Sequence, residues 1–286
     1  MFKSKDELIR PFFIGMLYWR LNCEPIMRIS FIGAGRVAHH LAMILSQQHQ
    51  IMQIYSRTLA SAQILAEKMG ATATIDLLEI KPEVDLVIIA ISDQAIASVS
   101  AALCPQLSDT LIVHTSGSTD IDVLAQIHRR AGVFYPLQTF SLNRQIPWVD
   151  TPIFVEAQTE DDLLILTQLA KQLSTRVYAY SSKQRLSLHL AAVFACNFSN
   201  YCYDMAKQVV DAQQVDFSLL YPLILETARK AIEHDPQQVQ TGPAMRGDQD
   251  ILSMHEQMLQ NAQQEDLKNI YHLLSQQILQ IHRSKT

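Results

Sequence analysis

Arg28-Ile29-Ser30-Phe31-Ile32-Gly33-Ala34-Gly35-Arg36-Val37-Ala38 sets a short apolar run, a glycine-rich turn and the start of an amphipathic segment in immediate succession. The chain has only eight glycines in 286 residues, so two of them inside one turn are a concentrated signal. A strand, a Gly-x-Gly turn and a helix in this order suit a dinucleotide. The first glycine allows the tight turn, the second lets backbone approach a pyrophosphate, and Ala38 at the third position still permits close packing of helix on strand. The free amides and dipole of the helix start then face the phosphates. Gly33, Ala34, Gly35, Arg36 and Val37 are therefore the expected phosphate-binding residues.

Outward from this turn, short apolar runs alternate with amphipathic stretches, the pattern of strands and helices in a doubly wound, mainly parallel α/β sheet. Strands are expected at 28–32, 51–55, 84–91, 110–114, 133–140, 153–156 and 176–180, and helices at 36–48, 59–69, 94–103, 121–130 and 159–173. Beyond Ser181 the strand pattern stops. Helical periodicity takes over at 184–212, 217–234 and 250–282, with Pro222 expected to bend or restart the middle segment. This predicts a nucleotide-binding domain at 27–180 and an all-helical domain at 181–286. Residues 1–26 are set apart as an upstream extension: Arg20 interrupts their apolar stretch, and Met27 directly precedes the first strand.

The choice of nucleotide is read at the end of the second strand, where an NAD site places Asp or Glu against the ribose hydroxyls. Here the residues are Tyr55-Ser56-Arg57-Thr58. With no carboxylate, a guanidinium at Arg57 and hydroxyls at Ser56 and Thr58, the stretch suits the 2′-phosphate of NADP. An ordinary solvated arginine is the competing reading of Arg57. Ligands in open parallel sheets lie beyond the carboxyl ends of the strands. That adds Ser92, near the nicotinamide ribose, His114 as a further cofactor contact, and Ser116 on the substrate side, with Asp93 expected as a helix N-cap.

In the helical part, His189, Val193 and Asn197 recur at four-residue spacing among apolar neighbours. A histidine can protonate a nascent alkoxide or amine, and an asparagine can orient substrate, which makes His189 and Asn197 the catalytic candidates. A hydrogen-bonded core histidine is the alternative. Thr241-Gly242-Pro243-Ala244-Met245-Arg246-Gly247-Asp248 places two more glycines in one loop, with Arg246 a candidate anchor for a substrate carboxylate and Asp248 a helix cap.

Apolar residues make up 48% of the chain and the formal net charge is −5, with no basic runs, which argues against nucleic acid as a partner. No stretch reaches membrane-spanning length, and a cytoplasmic location is expected. The four cysteines show neither CxxC pairs nor metal-ligand spacing, so no metal is expected and they read as reduced, mostly buried thiols.

Taken together, the glycine turn, His114-Thr115-Ser116-Gly117-Ser118, Tyr135-Pro136-Leu137-Gln138-Thr139-Phe140, His189 through Asn197 and Thr241 through Asp248 resemble one family. It comprises Rossmann-like NADP oxidoreductases with a C-terminal helical domain of unknown function. More distantly the chain is similar to pyrroline-5-carboxylate reductase, deazaflavin-dependent NADP oxidoreductases and beta-hydroxyacid dehydrogenases. The resemblance implies hydride transfer in a cleft between the domains and homodimers packed through the helical domain. It covers Met27 to the C-terminus. Beta-hydroxyacid dehydrogenases carry a catalytic lysine where this chain offers His189. The expected function is reduction of a C=O or C=N bond of a small metabolite with NADPH; the alternative is a non-catalytic NADP-binding sensor or interaction protein.

Overall fold

The computed structural model describes residues 25–283, so the expected extension lies almost entirely outside the described residues. The chain divides into two compact units, the first running to Ala192 and the second starting at Val193.

The first unit is built on one eight-stranded sheet. Its elements are β1 (Arg28–Ile32), α1 (Arg36–Leu45), β2 (Gln50–Tyr55), α2 (Leu59–Met69), β3 (Thr72–Thr74), β4 (Leu86–Ile89), α3 (Asp93–Leu103), β5 (Leu111–His114), α4 (Asp122–Ala125), β6 (Ala131–Pro136), β7 (Ile153–Ala157), α5 (Glu160–Leu173), β8 (Val177–Ala179) and α6 (Ser182–Ala192). Strand order is β3-β2-β1-β4-β5-β6-β7-β8, parallel throughout except where β7 runs antiparallel to β6. This is the doubly wound Rossmann-like sheet expected from the sequence. Its order reverses between β1 and β4, so the turns leaving those strands diverge and leave a crevice between them.

Alternation along the central strands sends side chains to two cores. Ile29, Phe31, Leu86, Ile88, Leu111 and Val113 pack with Leu41 and Leu45 of α1, Leu65 of α2, and Leu166 and Leu169 of α5. Ile32, Val87, Ile89 and Ile112 pack with Ile96 and Leu103 of α3 and with Leu124 of α4. Both faces of the sheet are covered, which is why these strands read as unbroken apolar runs. Local signals mark the helix ends: Gly70 stops α2 in the left-handed conformation, and the Thr159 side chain accepts from the Asp162 amide to start α5.

Three sequence expectations change in this unit, the first being the strand expected over 133–140, which runs over Ala131–Pro136 and ends at the proline. The segment 121–130 is helical only over Asp122–Ala125, because the chain turns to let the His128 ring bond the Thr110 carbonyl at 2.7 Å. The strand at 72–74 was not anticipated, since three residues of Thr-Ala-Thr carry no apolar run.

The second unit is helical. A π-helical turn, Val193–Phe198, leads into α7 (Ser199–Asp211), followed by α8 (Tyr221–Glu233), α9 (Pro243–Arg246), α10 (Gln249–Asn261) and α11 (Glu265–Arg283). Pro222 sits in the first turn of α8 after a 3₁₀ turn at Phe217–Leu220, so it restarts the helix. The long helix expected over 250–282 is two helices, separated at Gln263, which takes a left-handed φ of 58°. Asp248 caps α10 through the Ile251 amide. Helices α7, α8 and α11 bury no residue within the chain, although they carry Tyr201, Val209, Leu223, Leu225, Leu273 and Leu274. Cys104 is buried but Cys196 and Cys202 are exposed, which corrects the expectation of mostly buried thiols. Among the described residues no helix is long and apolar enough to cross a membrane.

Candidate functional site

The first element of the site is the turn after β1. Gly33 has φ +121°, and a Cβ there would lie 2.2 Å from the Ala90 carbonyl oxygen, so protein sterics alone demand glycine. Its amide donates to the Tyr55 carbonyl at 2.8 Å, tying the turn to the end of β2. Gly35 differs. Its φ of −78° suits any residue, and a Cβ would meet nothing within 4 Å. Among the described residues nothing requires a glycine at 35, and the space beside its Cα is open. Gly35 is also the N-cap of α1, with no side-chain cap and no acid in the first turn, so the helix start keeps its free amides and positive dipole.

A cavity of about 550 Å³ opens here. Gly33, Ala34, Gly35, Ser56, Arg57 and Ser92 all line it, bringing together six of the cofactor residues expected from the sequence. Arg36, Val37, Thr58 and His114 are not among its lining residues. Thr58 instead starts α2 and donates from its hydroxyl to Ser61 at 2.8 Å. Arg57 is exposed and makes no hydrogen bond or ion pair with the described residues.

Beyond β5 the chain forms a tight polar loop. His114 is fully buried, and its Nδ1 accepts from the Ser116 amide at 3.2 Å. Burial, with the positive Arg185 second, pushes its pKa down to about 4 against the smaller pull of Asp93 and Asp120, so the ring is neutral at pH 7. His114 therefore supports the loop from behind, which differs from the cofactor contact expected of it. The Ser116 hydroxyl accepts from the amides of Ser118 and Thr119 at 3.1 and 2.9 Å, so it too is committed to the loop. Ser92 occupies the N-cap position of α3 without a side-chain cap, while the Asp93 carboxylate accepts from the Ser118 hydroxyl. Asp93 ties the loop to α3 and does not cap the helix.

Helix α6 brings in the next group. Ser182, Arg185 and His189, spaced by three and four residues, share one face of α6, and that face lies on the sheet. Arg185 is only 1% exposed and pairs with Glu156 of β7. It also donates to the Thr119 carbonyl and, at 3.0 Å, to the Ser182 hydroxyl. Glu156 accepts in turn from the Ser182 amide at 2.9 Å and from its hydroxyl at 2.8 Å. One turn further on, His189 Nδ1 lies 3.3 Å from the Tyr135 phenol oxygen, with the rings edge to face at 6.3 Å. Gly117 lies beneath both: a Cβ there would be 2.6 Å from His189 Nδ1 and 2.8 Å from the Tyr135 oxygen. Burial pushes the Tyr135 phenol up from its ordinary pKa, with Arg185 opposing and Asp93 adding to the shift. The phenol is protonated at neutral pH.

Tyr135, Arg185 and Glu156 are not among the site residues expected from the sequence. The detectable signal was the polar stripe Ser182, Arg185, His189 on a helix otherwise rich in leucine. In the second unit, Asn197 lies exposed in the π-helical turn, and Arg246 is exposed at the end of α9, just before the left-handed Gly247.

Comparison with known proteins follows the same division. Residues 28–117 match the family model described as NADP oxidoreductase coenzyme F420-dependent, and residues 151–278 match the domain of unknown function DUF2520. A candidate NADP oxidoreductase from Bacteroides fragilis is 40% identical, with 89% of this chain and 98% of that chain covered and a TM-score of 0.84. Two more distant structures share the fold. An imine reductase from Myxococcus stipitatus in complex with NADP+ is 12% identical, covering 91% of this chain and 93% of its own, with a TM-score of 0.66. A pyrroline-5-carboxylate reductase from Coxiella burnetii is 15% identical, covering 91% and 98%, with a TM-score of 0.53. A comparison with curated proteins returns no match. Turn, sheet order and helical second unit all lead to the same assignment: the chain belongs to the oxidoreductase family that joins an NADP oxidoreductase domain to a C-terminal DUF2520 domain.

Proposed function

We propose that the chain is an NADP(H)-dependent oxidoreductase that reduces a C=O or C=N bond of a small metabolite. The observation that carries this reading is the cavity bounded by Gly33, Gly35 and Arg57, with an arginine and no carboxylate at the end of β2. The adenosine half of the cofactor would lie along this cavity, its pyrophosphate on the amides at Gly35, Arg36 and Val37 and its 2′-phosphate on Arg57, with Ser56 and Thr58 beside it. A bound nicotinamide supplies the hydride. The chain's own residues bind and orient the cofactor and deliver the proton: His189 gives a proton to the substrate oxygen or nitrogen, held in place by the α6 network. Asn197 orients substrate, and Arg246 anchors a carboxylate if the substrate carries one.

Arg57→Ala is expected to weaken NADPH binding by about ten- to a hundredfold, the range for a lost hydrogen bond to a charged group, while leaving NADH affinity unchanged. Fluorescence titration with both nucleotides checks this. Equal losses for the two, or no loss, would remove Arg57 from 2′-phosphate recognition.

The apolar faces of α7, α8 and α11, unburied within one chain, support a homodimer closed through the helical unit. Light scattering should then give twice the 32.4 kDa chain mass, and a monomer at micromolar concentration would refute it.

A further inference from the structure

We propose that Tyr135 is a positioning residue for His189, its phenol donating to Nδ1 so that the imidazole presents an Nε2–H, and that position 117 is glycine so that the two rings can meet. This deepens the reading in which His189 supplies the proton, yet its test needs no turnover, so the two can fail separately.

Three observations converge on it. Among the described residues, the Tyr135 phenol and the His189 ring make no hydrogen bond other than the one between them, at 3.3 Å. A phenol is a far stronger acid than the N–H of a neutral imidazole, and the bare ring nitrogen is the stronger acceptor, so the hydrogen runs from Tyr135 to Nδ1. The second nitrogen then carries a hydrogen and bonds no other described residue, so it can donate to a substrate oxygen or nitrogen; as that proton leaves Nε2, the phenol proton passes to Nδ1, which keeps the imidazole neutral and leaves a phenolate for solvent to reprotonate. Gly117 is the steric condition: its φ is not in the left-handed region, but a Cβ would fall at 2.6 Å from Nδ1 and 2.7 Å from Tyr135 Cζ. Any larger residue at 117 would push the rings apart. The third observation is the anchoring of α6. Arg185, bound to Glu156 and to the Thr119 carbonyl, fixes the helix one turn before His189, so the imidazole cannot drift away from the phenol by sliding of the helix.

The test is the imidazole ¹⁵N spectrum of the full chain, recorded where the ring is neutral, with the His189 signals identified by their loss in His189→Gln. The wild type should show a protonated Nε2 and an unprotonated Nδ1, the latter displaced by the bond it accepts. In Tyr135→Phe, with an unchanged melting curve, that displacement should vanish and the two nitrogens should move toward an averaged mixture of tautomers. Replacing the tyrosines by 3-fluorotyrosine makes the phenol more acidic at nearly the same shape, and should move the Nδ1 signal further in the wild-type direction. This second arm holds even if Tyr135→Phe does not fold. A protonated Nδ1 in the wild type overturns the proposal, as does a signal indifferent to both changes.

Discussion

His189→Ala is expected to lower turnover at least about a hundredfold, with NADPH affinity unchanged, for whichever carbonyl or imine compound supports NADPH oxidation by the wild type. General acid catalysis contributes roughly 10²- to 10⁴-fold, equivalent to about 3 to 5 kcal/mol of barrier. His189 lies outside the cavity formed by Gly33, Gly35 and Arg57, so its removal should spare the cofactor. It is half-buried on α6 beside Tyr135, where a small cavity left by alanine should cost little stability. Steady-state kinetics over a metabolite panel, paired with a nucleotide titration, checks both halves. Unchanged turnover would exclude His189 as proton donor; a parallel loss of NADPH binding would make it a cofactor contact instead.

The two turn glycines should separate folding from binding. Gly33→Ala forces a Cβ to within 2.2 Å of the Ala90 carbonyl at a φ of +121°, and should cost about 2 to 4 kcal/mol of unfolding free energy. Gly35→Ala adds a methyl group to open space at an ordinary φ, so stability should change by no more than about 0.5 kcal/mol. NADPH affinity should nevertheless fall by about tenfold or more, because that methyl group occupies the space the pyrophosphate needs. Denaturant melts of both variants, followed by NADPH titration, give the comparison. If Gly35→Ala is stable and binds NADPH like the wild type, the turn does not hold the pyrophosphate.

What the sequence made legible was local. The β1 to β2 stretch is readable because strand, turn and helix are contiguous and each has its own signature: an apolar run, paired glycines, amphipathic spacing. The same holds for the central strands, which are apolar on both faces. The break at Gln263 was not readable, because a glutamine in the left-handed conformation replaces the glycine that normally announces a helix end. In the candidate site, Gly33, Gly35 and Arg57, singled out by pattern alone, line one cavity. Tyr135 and Glu156 were not, because their significance exists only where β6 and β7 pass under α6. Arg185 reads as a solvated helix arginine until Glu156 is placed against it, and it is then one of the largest fully buried side chains. His114 and Ser116 were correctly located at a strand end. Whether their side chains face a ligand or hold the loop depends on hydrogen bonds that spacing does not encode.

A crystal structure with NADP(H) bound would decide between a cofactor cleft facing His189 and any other arrangement, through the position of the two ends of the cofactor. The 2′-phosphate should lie on Arg57, the pyrophosphate on the amides at Gly35 and Arg36, and the nicotinamide beyond β4 and β5 with its C4 facing the His189 and Tyr135 pair across the width of a small substrate. A cofactor bound with its 2′-phosphate away from Arg57, or with its ring turned from His189, would contradict this arrangement.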